Sequence, residues 1–470
     1  MTTQPILLRS ARVVDPSQAL DGPGAVVIAD GRVLACGLAA GSELGPNVSQ
    51  ALAQLEADGR PARTRDLPPG WVIAPGFLDL HVHLREPGFE AKETIASGTA
   101  AAARGGFTTI CCMPNTQPVI DSRATLEYVL HAAKGALARV LPIAAISKGE
   151  NGAELSEMAE LAEAGAVAFS DDGRPVSNSR LMRHALDYAA PLGLPIVEHC
   201  QDAELVGDGV MHEGAISTLL GLKGWPAAGE TAMLARDLEL VRSTGARYHA
   251  AHLSVAGAIE LVRAAKRDGL PVSAEVTPHH LLLTDAWVAG ERTGPLADAL
   301  TELYGEPLPA GPRYDANTKV NPPLRTAADC AALLAGLRDG TIDAIATDHA
   351  PHTVVDKEGE YGEAAFGISG FETALAALLA LVHTGKLPMA TLIAALTVRP
   401  AAAWNLNAGT LTPGALADLV IFDPDEEWTV DPAHFASKGQ NTPLAGIRLR
   451  GRVRQTWLGG QIVYDAANAS

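Results

Sequence analysis

Trp71-Val72-Ile73-Ala74-Pro75-Gly76-Phe77-Leu78-Asp79-Leu80-His81-Val82-His83-Leu84-Arg85 decides how this chain is read. Its first part is apolar and β-prone, which predicts one buried strand over Trp71–Leu84 that empties into a site at its far end. Two histidines at i and i+2 on a strand point to the same face, so the imidazoles of His81 and His83 can reach one cation. Arg85 stands one step further along that face, where a guanidinium can take a carboxylate through two parallel hydrogen bonds.

Beyond this stretch the middle of the chain alternates short apolar runs with Ala-rich helical ones. The runs are Trp71–Leu84, Phe107–Met113, Arg139–Ile146, Ala166–Asp171, Pro195–Cys200, Arg247–Leu253, Pro271–Val276 and Ile342–Thr347. Helix-like segments such as Lys92–Arg104, Ser122–Leu137, Ala153–Ala164, Arg180–Leu192, Gly229–Ser243 and Ala256–Arg267 lie between them. Eight strand–helix units in about 270 residues predict an α/β (β/α)8 barrel of the TIM type. A doubly wound sheet is the alternative, but no Gly-rich fingerprint follows the first strand.

The ends differ. Residues 3–36 and 416–465 show period-two alternation, the first around an Asp-Gly turn, and predict one small β-sandwich built from both termini. Residues 37–70 are Ala/Gly/Pro-rich and weakly patterned and read as linker or loop. The expected division is therefore 1–70 for the first part of the sandwich plus linker, 71–405 for the barrel, and 406–470 for the rest of the sandwich. Thr293–Thr318, with Gly and Pro throughout, is longer than a routine barrel loop and reads as an insertion or lid.

With 470 residues the chain exceeds what one growing core supports, in line with a large and a small domain. An excess of 54 acidic over 36 basic residues, a formal charge of −18, argues against binding a nucleic-acid backbone. It leaves an anionic small molecule open, because a local pocket can oppose the global sign. The start of the chain carries no basic segment followed by an apolar run, and no stretch has the length to span a bilayer. The five cysteines (Cys36, Cys111, Cys112, Cys200, Cys330) include no CxxC pair and read as buried, reduced thiols. Cytoplasm is the expected compartment.

Barrel enzymes build their sites at the C-terminal ends of strands. Read strand by strand, those ends carry His81, His83 and Arg85; Met113-Pro-Asn115-Thr; Phe169-Ser-Asp171-Asp172-Gly173; Glu198-His199-Cys200; Ala251-His252-Leu-Ser; and Thr347-Asp348-His349-Ala-Pro-His352. Four histidines and two aspartates at one mouth are a nitrogen and oxygen ligand set suited to Zn²⁺ with open positions. Singly, each has an ordinary structural role: a lone histidine is more often a hydrogen-bonded core residue, and Asp171-Asp172-Gly173 alone is a turn signature. Placement at successive strand ends is what argues for a site. His131, His184 and His383, in helical stretches, receive no role.

These residues resemble the amidohydrolase superfamily and, within it, the class I dihydroorotases. The resemblance lies in Pro75-Gly-Phe-Leu-Asp-Leu-His-Val-His-Leu-Arg-Glu-Pro-Gly88, Ala102–Thr108 with Met113-Pro-Asn-Thr116, Phe169-Ser-Asp-Asp-Gly173, Glu198-His-Cys200, Lys319-Val-Asn-Pro-Pro-Leu-Arg325 and Ala346-Thr-Asp-His-Ala-Pro-His352. It implies that His81 and His83 hold a first metal, His199 and His252 a second, and that Asp348 binds metal and moves protons. Many relatives bridge the metals with a carbamylated lysine. This chain has none at strand four and resembles the class in which an aspartate of Ser-Asp-Asp-Gly replaces it. The family spacing selects Asp172, 27 residues before His199, over Asp171, and strand alternation lets only one of the two face inward.

The resemblance further implies substrate contacts: Arg85, Asn115 and His352 to an α-carboxylate, Asn321 to the ring, with His83 also near the substrate. Phe366-Gly367 resembles the family's backbone contact to that ring, although a plain turn explains the pair equally well without the family match. The implied activity is the zinc-dependent, reversible cyclisation of N-carbamoyl-L-aspartate to (S)-dihydroorotate in pyrimidine synthesis, with one or two Zn²⁺, a metal-bound hydroxide as nucleophile and Asp348 as general acid/base. Allantoinases and dihydropyrimidinases are the alternative, and Arg85, Asn115 and the strand-four aspartate argue against them. A non-catalytic partner of aspartate transcarbamoylase is a third reading, which the complete ligand set disfavours. A homodimer is what the family suggests, and association with aspartate transcarbamoylase is compatible with an active chain.

Overall fold

The run from Trp71 is two strands, not one. In the computed structural model, which describes residues 4–41 and 43–468, Val72–Pro75 pairs with Leu419–Thr429 and with Ile6–Asp15, whereas Phe77–Val82 pairs with Phe107–Cys112. The chain changes sheets at Gly76, whose amide donates to the Asp418 carbonyl at 3.0 Å while that of Phe77 donates to Gly106. A Cβ on residue 76 would meet Thr108 Oγ1 at 2.2 Å, so glycine alone permits this approach. The single strand expected over Trp71–Leu84 is thus corrected. Both halves are buried and apolar, and hydropathy carries no mark of the switch.

The terminal sheet draws on both ends of the chain, as predicted. Its order is Gln461–Asp465, Arg448–Leu458, Leu419–Thr429, Val72–Pro75, Ile6–Asp15, Leu20–Ala29 and Arg32–Leu38, with Arg63–Asp66 also paired to Ile6–Asp15. Ile6–Asp15 serves two partners on one edge: residues 6–9 take Arg63–Asp66, and after a bulge at Ser10 (φ 70°) Arg12 and Val13 take Val72 and Ile73. The linker expected over 37–70 is corrected by the helix Pro46–Ala57 and the strand Arg63–Asp66. Val48 and Leu55, two turns apart, bury against Leu7, Ala25, Val27 and Ala35 of the sheet.

The eight barrel segments pair in parallel, in sequence order. Phe77–Val82, Phe107–Cys112 and Arg139–Pro142 form one arc; Ile196–Glu198, Tyr248–Ala250, Val272–Val276 and Ala344–Ile345 form the other. The fourth segment, expected over Ala166–Asp171, is reduced to Phe169, bridged to Ala144 and Ile196. The ring closes where His349 bridges Val82. Leu78, Leu80, Cys111, Met113, Ile143, Ala168, Val197, Ala251 and Ala344 form one buried cluster, joined by Ala401 and Trp404 of the helix Val398–Trp404. Thr293–Thr318 is no featureless loop, since Pro295–Tyr304 is a helix that buries Leu296, Ala297, Ala299 and Leu300. No helix among the described residues is long and apolar enough to cross a membrane.

Candidate metal centre and adjoining cleft

The C-terminal ends of the barrel segments bring the predicted residues to one place. His83, Arg85, Asn115, Asp172, His199, His252, Asn321, Asp348, His352, Phe366 and Gly367 line a cleft of about 250 Å³, and His81 lies beneath it, 1% exposed. Three of them, Arg85 (φ 63°), His252 (φ 29°) and Asp348 (φ 47°), hold left-handed backbone that non-glycine residues rarely adopt. Such strain persists where the surrounding structure enforces it, and it clusters at functional sites.

Hydrogen bonds fix which nitrogen each imidazole offers inward. His81 Nδ1 donates to Glu275 Oε1 at 2.8 Å, His83 Nδ1 to Asn115 Oδ1 at 3.0 Å, and His199 Nε2 to Gln201 Oε1 at 2.7 Å. Carboxylate and amide oxygens can only accept, so in the neutral rings His81 Nε2, His83 Nε2 and His199 Nδ1 present lone pairs to the centre. There His199 Nδ1 lies 2.8 Å from His252 Nε2, and His83 Nε2 lies 3.0 Å from Asp348 Oδ1. Asp172 Oδ1 approaches His81 Nε2 at 3.4 Å, His252 Nε2 at 3.5 Å and His199 Nδ1 at 3.6 Å.

These groups fit a divalent cation. His81 Nε2 and Asp172 Oδ1 are buried with no hydrogen-bond partner among the described residues, an arrangement that is costly unless a ligand engages them. The donor atoms of His81, His83 and Asp348, and those of His81, Asp172 and His252, each lie within 4.8 Å of one another. The charge balance agrees. Burial favours neutral carboxyls, yet His81, His252 and His83 hold Asp172 well below the usual carboxylate range. Asp348 is lowered likewise, against its burial, by His83 and His81. Burial also opposes charge on His81, and Asp172 and Glu275 outweigh it to raise its pKa well above the usual value, so they favour a positive charge at Nε2 that a bound cation would supply in place of a proton.

The two adjacent aspartates part company. Asp171 turns outward and accepts from the Ile146 amide at 2.8 Å, the Ser147 amide at 3.0 Å and the Ser147 hydroxyl, which clamps the end of the third strand to the fourth. Only Asp172 faces the histidines. His349 is excluded too: its ring stacks on Phe371 at 4.2 Å, bonds Glu93 and accepts from the Gly370 amide. His131, His184 and His383 lie on outer helices.

Sequence reading missed the supports. Glu275 bonds His81 through one oxygen and His249 Nε2 through the other at 3.1 Å. Asp79 accepts from the His81 amide, the Thr347 amide and the Thr347 hydroxyl, the last at 2.6 Å, and so ties strand one to strand eight beside Asp348. Both were visible as carboxylates inside apolar strands, where an acid needs a dedicated partner. Asp79 also shares the face of His81 and His83 by the same alternation.

A parallel eight-membered barrel with a β-domain from both termini and a histidine–aspartate centre at its mouth defines a cyclic amidohydrolase. Residues 70–257 match the Dihydro-orotase-like family model. The chain is 50% identical over 465 residues to a dihydroorotase of Anaeromyxobacter sp. (strain K), covering 99% of each chain. It is 47% identical to that of Syntrophus aciditrophicus (strain SB), covering 98% of this chain and 99% of that one. Among solved structures, an L-hydantoinase (dihydropyrimidinase) from Arthrobacter aurescens superposes with a TM-score of 0.78 at 23% identity, covering 98% of this chain and 96% of the other. A dihydropyrimidinase from Brevibacillus agri gives 0.76 at 19%, covering 98% and 95%. The structural likenesses carry the barrel-plus-sandwich fold. The sequence relatives carry the family: this chain belongs to the dihydroorotases.

Proposed function

We propose that the chain interconverts N-carbamoyl-L-aspartate and (S)-dihydroorotate with zinc as its cofactor. The observation that carries this reading is the pairing of two unlike features. Six inward-facing ligand groups, His81, His83, Asp172, His199, His252 and Asp348, surround unpartnered buried atoms, and Arg85 with Asn115 and His352 lines the adjoining cleft. His81 and His83 would hold one ion, His199 and His252 the other, with Asp172 between them and Asp348 shared with the first. Ions bound there supply an acidified water, with a pKa of about 7, and a polarised ring carbonyl.

The chain's own residues do the rest. Asp348, anionic beside His83, takes the proton of the attacking water and returns it to the ring nitrogen that departs, acting as base and then acid. In the reverse direction it removes that proton from the ureido nitrogen as the ring closes. Arg85, Asn115 and His352 hold the α-carboxylate, and Asn321 with the Phe366–Gly367 backbone holds the ring. Arg85 is the group that distinguishes this substrate from hydantoins, dihydrouracil and allantoin, which lack the carboxylate.

The test is ring opening of dihydroorotate by protein stripped with a chelator and then reloaded. Turnover that vanishes on stripping, returns with Zn²⁺ and fails with dihydrouracil, hydantoin and allantoin is the expected result. Turnover of the neutral rings instead would reassign the chain to a sister activity.

The two aspartates give a second test. Asp172→Ala should lower bound zinc, measured by elemental analysis, and reduce kcat at least about 100-fold, since even groups outside the ligand shell are worth 10–100-fold in affinity or activity. Asp171→Ala should keep zinc and instead cost about 1–3 kcal/mol of stability, because the Ile146 and Ser147 donors lose their acceptor. Loss of zinc with Asp171→Ala alone would reverse the assignment.

A further inference from the structure

Lys92 stands outside the cleft lining, on the turn before the helix Ile95–Gly105, and its ammonium lies 3.3 Å from His352 Nδ1 and 3.5 Å from Asp356 Oδ2. On the other side of the ring, His352 Nε2 lies 2.8 Å from the Phe366 carbonyl and 3.2 Å from Arg85 Nη2. A carbonyl only accepts, so Nε2 carries the hydrogen; an ammonium only donates, so Nδ1 carries the lone pair. Burial, with Arg85, Lys92 and Lys357 nearby, drives the His352 pKa down to about 2. The ring is therefore neutral at working pH, and its remaining freedom is the choice of tautomer.

We propose that Lys92 is a positioning residue that, together with the Phe366 carbonyl, locks His352 as the Nε2–H tautomer, so that the ring offers a donor, shared with that carbonyl, to the substrate carboxylate beside Arg85. The proposal rests on the cleft being the carboxylate site described above. The structure shows what opposes the lock. Asp356 Oδ2 is 3.7 Å from His352 Nδ1, and with Lys92 gone it becomes the partner that draws a hydrogen onto Nδ1. Nε2 then carries a lone pair, gives up its bond to the Phe366 carbonyl, accepts from Arg85 Nη2, and meets an incoming carboxylate lone pair to lone pair. One substitution outside the cleft thus removes a donor and diverts a guanidinium N–H from the substrate.

The experiment is made on zinc-loaded protein. Selective ¹⁵N-histidine labelling, with the His352 signals assigned by their loss in His352→Gln, reads the tautomer in the free enzyme, and steady-state kinetics read its consequence. Lys92→Met is expected to move the ring to the Nδ1–H pattern and raise KM for dihydroorotate about tenfold, the factor equivalent to one charge-assisted hydrogen bond, with kcat changed less than threefold. Lys92→Arg should keep the parental pattern and KM. Adding Asp356→Asn to Lys92→Met should restore much of both, because the competing acceptor is neutralised. A parental ring pattern in Lys92→Met overturns the proposal, as does a switched ring with unchanged KM. Wild-type protein that shows the Nε2–H pattern and does not open dihydroorotate would overturn the functional reading separately, since the ring pattern is read without substrate.

Discussion

Replacing Asp348 by asparagine should lower kcat about 10³–10⁴-fold, the top of the range for a positioned acid or base, while much of the zinc is retained. The reason lies in how the side chain is held. Its backbone takes a left-handed φ of 47°, fixed by Thr347, whose amide and hydroxyl both donate to Asp79. Its Oδ1 is 3.0 Å from His83 Nε2 and 3.7 Å from His81 Nε2, and its carboxyl is held below the usual range, so it stands ready as a base throughout the neutral region. Asparagine keeps the shape and one oxygen donor but has no carboxylate to take up the proton. The measurement is kcat in both directions beside zinc content and melting temperature. Activity within tenfold of the parent, with zinc bound, would remove the proton-transfer role from Asp348. Complete loss of zinc would make it a ligand first, and the milder Asp348→Glu would then be needed to separate the roles.

How far the sequence leads is visible in the same residues. His81 and His83 could be placed on one face from strand alternation alone, and the structure puts both Nε2 atoms beside Asp348. Alternation also required one of Asp171 and Asp172 to face outward; which one depends on the local path after Phe169, where the fourth strand is down to a single bridged residue. The barrel was legible because eight apolar runs recur between helical stretches, and that repeat survives errors of a few residues at each end. The break at Gly76 was not, because both sheets bury the flanking residues equally and only Thr108, distant in sequence, reveals the close approach. The helix Pro46–Ala57 hid in Ala-rich composition, where two buried contacts, Val48 and Leu55, are too few to make a period. Glu275 and Asp79 announced themselves as acids in apolar strands, but their partners His81, His249 and Thr347 come from other strands and exist only in three dimensions. Arg85 and His352 lie 267 residues apart and meet across the barrel mouth.

Arg85 provides the other large effect. Arg85→Met should reduce kcat/KM for dihydroorotate by about 10³-fold, with most of the loss in KM, while leaving zinc content unchanged. Burial lowers this guanidinium's pKa to about 10 against the pull of Asp348, so it remains charged at neutral pH. Among the described residues it reaches only the Pro351 carbonyl at 3.3 Å and, at 3.2 Å, a His352 nitrogen that carries a hydrogen of its own and so cannot accept. It is a half-buried charge short of acceptors, and a carboxylate would satisfy it through two parallel bonds. A site built to hold such a group discriminates against a ligand lacking it by as much as about 10⁴–10⁵-fold, because its own donors are left unpaired. Methionine removes that penalty along with the attraction. The variant should therefore narrow the gap between dihydroorotate and dihydrouracil from both sides, losing the first substrate and gaining measurable turnover of the second. Lysine at the same position should recover only part of the loss, since a point charge cannot reproduce the fork. Unchanged discrimination in Arg85→Met would move carboxylate recognition to other cleft residues, while the family, which rests on the sequence relatives, would stand.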